Sequence, residues 1–137
     1  MRFRSDSPIF QQIVEHLEEQ VIRGELLAEE RVPAVRDFAL EVEVNPNTVM
    51  RSFLELEEAG VFFKKRGLGY FLSPDAKEKI LRRRKKHFLD RELPEVVRTM
   101  HLLGVGIEVV MSLFQEQVTA QKDKFDRKTE REIRSKT

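Results

Sequence analysis

The sequence predicts a mainly α-helical protein with one small β-hairpin, arranged as a winged helix-turn-helix followed by a short all-helical segment. Three observations support this fold class. Two short helical patterns joined by a tight turn occupy residues 35–53. A run of β-forming residues around a glycine-containing loop follows at residues 61–73. Beyond residue 73 the apolar residues return to helical spacing.

The first helix is predicted over residues 8–24. Ser7 is a suitable N-cap, Pro8 can occupy the first helical position, and Gly24 can end the helix in a left-handed conformation. The predicted apolar stripe comprises Ile9, Phe10, Ile13, Val14, Leu17 and Val21. The acidic residues predicted to face away from it are Glu15, Glu18 and Glu19. Residues 25–33 read as a connector.

Two helices are predicted at residues 34–42 and from Asn45 to about residue 59, with a turn between them at Glu43 and Val44. Asn45 caps the second helix and Pro46 takes its first position. This pattern is typical of a helix-turn-helix, whose second helix lies in the DNA major groove.

The second helix of this pair presents a polar face opposite its apolar stripe. Asn47, Thr48 and Arg51 lie on that face. Polar side chains are needed there because base edges and phosphates are recognised by hydrogen bonds.

The hairpin carries a basic tip made of Lys64, Lys65 and Arg66, next to Gly67. A basic hairpin directly after a recognition helix is the wing of a winged helix, and its tip can reach flanking phosphates or the minor groove. The aromatic residues of the hairpin either pack on the helices or form a base-stacking platform; they are Phe62, Phe63, Tyr70 and Phe71.

A boundary is predicted at Ser73-Pro74, which gives a DNA-binding domain at residues 1–73 and a helical segment at residues 74–137. A basic helix begins there and Pro94 interrupts it. Further helices are predicted at residues 93–103 and from 107 to about 121, separated by a turn at Gly104. The charged tail from residue 122 either extends the last helix or frays.

Charge and composition narrow the possible functions. The net charge is +1, but residues 64–86 hold ten Lys or Arg against two acids. Such a local basic zone can bind phosphate. No cysteine is present, which excludes disulfides and thiolate chemistry and suits a reducing cytoplasm. The first residues lack the apolar stretch of a signal peptide, and no apolar run reaches the ~20 residues of a bilayer span.

The motifs resemble those of the GntR family of bacterial transcriptional regulators, in particular its short YtrA-type branch. The similar sequences are PIFQQI at residues 8–13, RGEL at 23–26, ERVPAVRD at 30–37, VNPNTV at 44–49 and RGLGYF at 66–71. Several ordered motifs at the right separations are a far more specific signal than a lone helix-turn-helix.

The resemblance implies a set of DNA contacts on the second helix of the domain, the recognition helix and the wing tip. These residues are Arg36, Asn45, Asn47, Thr48, Arg51, Arg66 and Gly67, to which the basic tip adds Lys65. Four positions depart from the family pattern. Many relatives have Ser in place of Ala34, Gly in place of Glu43, and Arg in place of Pro46 and Met50. We therefore expect base reading to rest more heavily on Asn45, Asn47 and Arg51.

The resemblance also implies that the C-terminal helices dimerise the protein. Physical reasoning also favours dimerisation, because three amphipathic helices of this length cannot bury their apolar faces alone. The expected function is a cytoplasmic, homodimeric, sequence-specific transcriptional regulator, most simply a repressor on a two-fold-repeat operator. The expected partners are double-stranded DNA and a second copy of the chain, with no membrane and no cofactor.

Other functions remain open at this stage. The domain could dock a protein instead of DNA, and a small-molecule effector could bind among the C-terminal helices. The basic run at residues 82–86 is either a solvated helix face or an aid to phosphate binding. His16, His87 and His101 have no metal-ligand spacing. No catalytic constellation is recognisable, so we expect no enzyme activity.

Overall fold

A computed structural model of the chain describes residues 1–135, except for the side chains at positions 125, 126, 128, 129 and 132. The last two residues of the predicted C-terminal segment lie outside the described part. The elements in chain order are α1 (Ile9–Ile22), α2 (Val35–Val42), α3 (Pro46–Glu58), β1 (Phe62–Lys65), β2 (Gly69–Leu72), α4 (Ala76–His87), a π-helical segment (Phe88–Glu92), α5 (Leu93–Leu103) and α6 (Ile107–Ser135). This order confirms the predicted winged helix-turn-helix followed by helices.

Contacts divide the chain into two compact units, and the division falls between Phe88 and Leu89. Helix α4 belongs to the first unit, where it packs against α1. The boundary at Ser73-Pro74 stays a prediction about where the DNA-binding function ends.

Phe53 on α3 lies at the centre of the first unit and is fully buried. Its ring centroid lies 6.0 Å from that of Phe38, 5.3 Å from that of Phe62 and 5.6 Å from that of Tyr70. Helix α2 and both strands of the hairpin are therefore packed on α3 through aromatic contacts. Phe62 and Tyr70 are part of this core, so the base-stacking interpretation is wrong for these two rings.

The start of α1 differs from the prediction. Pro8 is extended (ψ 145°) and occupies the cap position, and no side chain caps the helix. The hydroxyl of Ser7 is buried without a hydrogen-bond partner. The buried amide of Gln12 holds the preceding segment instead, since it accepts from the Arg4 N–H at 2.7 Å and donates to the carbonyls of Arg4 at 2.8 Å and Ser7 at 2.9 Å. Ile9, predicted on the apolar stripe, is exposed.

The turn between α2 and α3 is built on Glu43, whose backbone is left-handed (φ 57°, ψ 46°). The Asn45 side chain then accepts a hydrogen bond from the Asn47 N–H at 2.8 Å, and Pro46 takes the first helical position. This cap is the one that the sequence predicts. Ala34 stands at the cap of α2 and makes no side-chain bond there.

Replacing Glu43 by glycine is expected to stabilise the fold by ~0.5–1 kcal/mol. The left-handed conformation costs an L side chain about 1 kcal/mol, and the greater freedom of glycine in the unfolded chain offsets part of the gain. Urea unfolding of Glu43→Gly and of the wild type measures the difference. The control is Glu41→Gly in the regular part of α2, which should destabilise by ~1 kcal/mol. A midpoint for Glu43→Gly at or below that of the wild type would contradict the expectation.

The wing is an antiparallel pair in which Phe62 faces Leu72 and Lys65 faces Gly69. A third segment joins it, from the stretch that the sequence predicts to be a connector. Arg31 forms a bridge with Phe71, Val32 N–H donates to Tyr70 O at 2.9 Å, and Leu72 N–H donates to Glu30 O at 3.0 Å. The base of the wing is therefore paired on both sides of β2.

The second unit contains α5 and α6, joined through Gly104 with a left-handed backbone (φ 70°). The predicted interruption is confirmed, because α4 ends at His87 and a π-helical segment separates it from α5. Helix α5 has the predicted bounds, with Pro94 in its first turn. Helix α6 continues to Ser135, so of the two alternatives for the charged tail from residue 122, extension of the last helix is the one observed. Most apolar side chains of this unit are exposed: Val96, Val97, Leu102, Leu103, Ile107, Val109, Val110, Met111, Leu113, Phe114 and Val118.

Candidate nucleic-acid interface

The N-terminal half of α3 presents a polar face to solvent. Asn45, Asn47 and Arg51 are exposed and Thr48 is half-buried, whereas Val49 on the opposite side is fully buried. Asn47 and Arg51 lie one helical turn apart, so their side chains share one strip of the surface. The structure thus brings four of the candidate residues onto a single exposed helix start.

Asn45 combines capping with exposure. Its side-chain oxygen is engaged by the Asn47 N–H, and its backbone carbonyl accepts from Thr48 N–H at 3.0 Å and Val49 N–H at 3.2 Å. The NH₂ group of the same side chain remains a donor. The side-chain amide of Asn45 can therefore donate a hydrogen bond to an external acceptor while its oxygen still caps the helix.

Arg51 is held against α1. Its guanidinium carbon lies 3.7 Å from the centroid of the Phe10 ring, a distance typical of a cation–π contact. The side chain is nevertheless exposed, because the ring covers only one face of the guanidinium plane. The sequence correctly predicts Arg51 on the polar face and Phe10 on the buried stripe of α1, but it does not predict the contact between them.

The wing tip is basic and exposed. Lys64, Lys65 and Arg66 are all open to solvent. The Lys65 ammonium lies 4.4 Å from the centroid of the Phe71 ring, which stacks on Phe63 at 5.8 Å. Two half-buried rings on the outer face of the hairpin thus support one of the tip cations.

Gly67 shapes the tip. Leu68 N–H donates to Lys65 O at 2.9 Å, and Gly67 between them has a φ of 78°. A tight turn of this kind needs a residue that tolerates positive φ in its third position. Arg36, the remaining candidate, is exposed in the first turn of α2, on a different element from the tip and from α3.

The basic run of α4 is largely engaged in ion pairs. Arg83 bonds Glu18, Arg84 lies 3.7 Å from Glu19, and Arg82 pairs with Glu78 at 3.1 Å. The first two pairs join α4 to α1. This arrangement favours a structural role for Arg83 and Arg84 over the phosphate-binding interpretation.

Glu18 is buried under α4, although the sequence predicted it to face solvent. The prediction was wrong because the apolar stripe marks only one covered face of α1, whereas α4 covers a second face that carries Glu18. Burial raises the pKa of Glu18, and the charges of Arg83 and Arg84 act in the opposite direction.

Within the described part of the chain, no group of three or more His, Asp or Glu residues is arranged to hold a metal ion. Among the same residues, no helix is long and apolar enough to cross a bilayer.

Comparison with known proteins agrees with this geometry. The profile described as "Bacterial regulatory proteins, gntR family" matches residues 9–72, which span α1 to the end of the wing. The chain is 30% identical to the HTH-type transcriptional repressor YtrA of Bacillus subtilis over 113 residues, or 82% of this chain and 86% of that protein. It is 33% identical to the HTH-type transcriptional regulator YhcF of the same organism over 110 residues, 80% of this chain and 89% of the relative.

A solved structure extends the likeness to most of the chain. A GntR family transcriptional regulator from Listeria monocytogenes superposes with a TM-score of 0.69 at 28% sequence identity, covering 83% of this chain and 98% of that one. These relatives are transcriptional regulators, not enzymes.

Proposed function

Because this chain belongs to the GntR family of DNA-binding bacterial regulators, we propose that it is a cytoplasmic transcriptional repressor that binds a two-fold-repeat operator as a homodimer. The observation that carries the proposal is the exposed polar start of α3 beside a hairpin with a basic tip. In this arrangement α3 enters the major groove and the wing reaches the neighbouring backbone or minor groove.

Each candidate residue has a role that fits its position. Asn47, Thr48 and Arg51 read base edges, and the amide of Asn45 adds a donor at the helix start. The residues that hold phosphates or the minor groove are Arg36, Lys65, Arg66 and the backbone at Gly67. An arginine can bond guanine through two parallel donors, which makes Arg51 the strongest base reader of the set.

The homodimer is supported by the second unit. Val97, Leu103 and Phe114 are exposed to 54%, 69% and 68%, and similar side chains surround them on α5 and α6. An apolar surface of this extent is typical of a protein interface. A second copy of the same helices would cover it and would bring together two reading heads for the two half-sites of the operator. In dimeric helix-turn-helix proteins such half-sites lie about one DNA turn apart, ~34–36 Å.

Selection of bound sequences from random duplex DNA tests the proposal. The expected product is a two-fold repeat, and a gel shift with that sequence should persist in the presence of competitor DNA. Selection of a single unrepeated site would contradict the homodimer. Absence of a shift at any salt concentration would overturn DNA binding and favour a protein-docking module.

A small-molecule effector remains part of the proposal for the second unit. A shallow apolar cavity of about 270 Å³ is lined by Val96, Met100, Leu103 and Val105. A thermal-shift screen would reveal such a ligand, because saturation at a hundred times its Kd adds ~2.7 kcal/mol of stability.

Replacing Arg66 by alanine is expected to weaken operator binding and to flatten its salt dependence. Each phosphate neutralised on B-DNA contributes about −0.9 to the slope of log K against log salt concentration. The slope for Arg66→Ala should therefore be less negative by about 0.9. Fluorescence anisotropy at several salt concentrations measures it. The matched control is Lys77→Ala, an exposed cation of α4. An unchanged slope for Arg66→Ala would remove the wing tip from the phosphate contacts.

A further inference from the structure

The contact between α1 and Arg51 goes beyond packing, because it fixes the direction of a side chain on the reading face. The guanidinium carbon of Arg51 lies 3.7 Å from the centroid of the Phe10 ring. Phe10 is 9% exposed and Arg51 is exposed. An otherwise buried ring thus forms the floor under an arginine that faces solvent.

The backbone of Phe10 is itself tied to α3 next to Arg51. The hydroxyl of Ser52 is fully buried and donates to the carbonyl of Phe10 at 2.9 Å. Arg51 and Ser52 are neighbours in sequence, so one residue anchors the backbone of α1 while the other rests on its ring. The position of the Phe10 backbone relative to α3 is therefore held by a buried hydrogen bond of ordinary length.

Stacking leaves the chemistry of base recognition available. The N–H donors of a guanidinium lie in its plane and point outward from its edge, whereas the ring contacts its face. The contact with the ring also restricts the long arginine side chain before DNA arrives. Less rotational freedom is then lost when the donors meet a base.

We propose that Phe10 is a positioning residue that sets how strongly Arg51 discriminates between base pairs. The inference rests on the proposed function, because it takes Arg51 to be a base reader. Phe10 itself touches no DNA in this arrangement. Its effect on recognition passes entirely through the guanidinium.

The test compares operator and random DNA binding for ring-removing and ring-keeping variants. Phe10→Leu is expected to lower the ratio of operator to random affinity about three- to tenfold, the range of a partly exposed cation–π contact. Phe10→Tyr keeps the ring and should keep the ratio. Val14→Ala truncates a similarly buried side chain of α1 and should also keep it. A loss of folded protein alone would lower both affinities and leave the ratio unchanged.

A double-mutant cycle separates the inference from general damage. In an Arg51→Ala background, Phe10→Leu should change the ratio less than about twofold, since the ring then has no arginine to position. Circular dichroism sets a temperature at which every variant is folded. Phe10→Met, which fills the same space with a flexible side chain, replaces Phe10→Leu if that variant does not fold.

Two results would overturn the inference while leaving the proposed function intact. One is an unchanged ratio in folded Phe10→Leu or Phe10→Met, and the other is an equal loss with and without Arg51. A wild-type protein that prefers no DNA sequence would instead overturn the proposed function and the inference together.

Discussion

Charging the apolar side of α6 with Val110→Glu and Phe114→Glu is expected to make the protein monomeric and to lower its affinity for a two-fold operator by ~10²–10⁴-fold. The range is that of avidity: in a dimer the second half-site is bound intramolecularly, and this advantage is lost in a monomer. Analytical ultracentrifugation measures the oligomeric state. A gel shift with full and half operators measures the affinity.

The two positions lie one turn apart on α6, and both side chains are exposed in the single chain. Carboxylates in the proposed interface would be desolvated without partners, which is costly. In the isolated chain the same carboxylates face water, so the variant should keep its helical content. Affinity for a half operator should be unchanged, because the reading head is untouched.

The matched control is Gln115→Glu with Thr119→Glu. These residues are also one turn apart on α6 and exposed, but they lie on its polar side together with Ser112 and Glu116. This pair adds the same charge and should remain dimeric. A monomeric control, or a Val110/Phe114 variant that stays dimeric and binds as tightly as the wild type, would place the interface elsewhere.

Replacing Arg51 by alanine is expected to lower discrimination between operator and random DNA by ~1–3 kcal/mol. The loss has two sources: the bidentate donor pair disappears, and the base acceptors that it met are left without a partner. Selection from random DNA with the variant should show relaxed preference at one base pair in each half-site. Competition binding against the wild-type operator measures the size of the effect.

Arg82→Ala serves as the control because it removes the same charge from α4, where Arg82 pairs with Glu78. That variant should keep the discrimination of the wild type. If Arg51→Ala weakens operator and random DNA equally, Arg51 is only a phosphate contact. Base reading would then fall to Asn45, Asn47 and Thr48.

Local signals in the sequence predicted the recognition helix well. The cap by Asn45 and the placement of Pro46 involve only neighbouring residues at the helix start. The strain at Glu43 arises from the φ and ψ angles of that residue alone. Such features need no knowledge of distant residues. The polar face at Asn47 and Arg51 follows in the same way from helical periodicity.

Features that depend on distant partners were missed. Glu18 is buried because Arg83 of α4 covers it, and Arg31 pairs with Phe71, which lies in β2 far along the chain. Neither the second covered face of α1 nor the pairing of the connector with β2 produces a periodic pattern of apolar residues in the sequence. The contact between Phe10 and Arg51 is also of this kind, because an apolar residue at position 10 is explained by core packing without any contact to Arg51.

The pairing on both sides of β2 determines when the wing loses its conformational entropy. Residues 29–32 bond one edge of β2 and β1 bonds the other, and the Lys65–Leu68 hydrogen bond closes the turn at the tip. Fixing the backbone of a residue costs about 1–2 kcal/mol at room temperature. For this hairpin the backbone cost falls at folding, so the proposed DNA contacts of the basic tip would not have to offset it at binding.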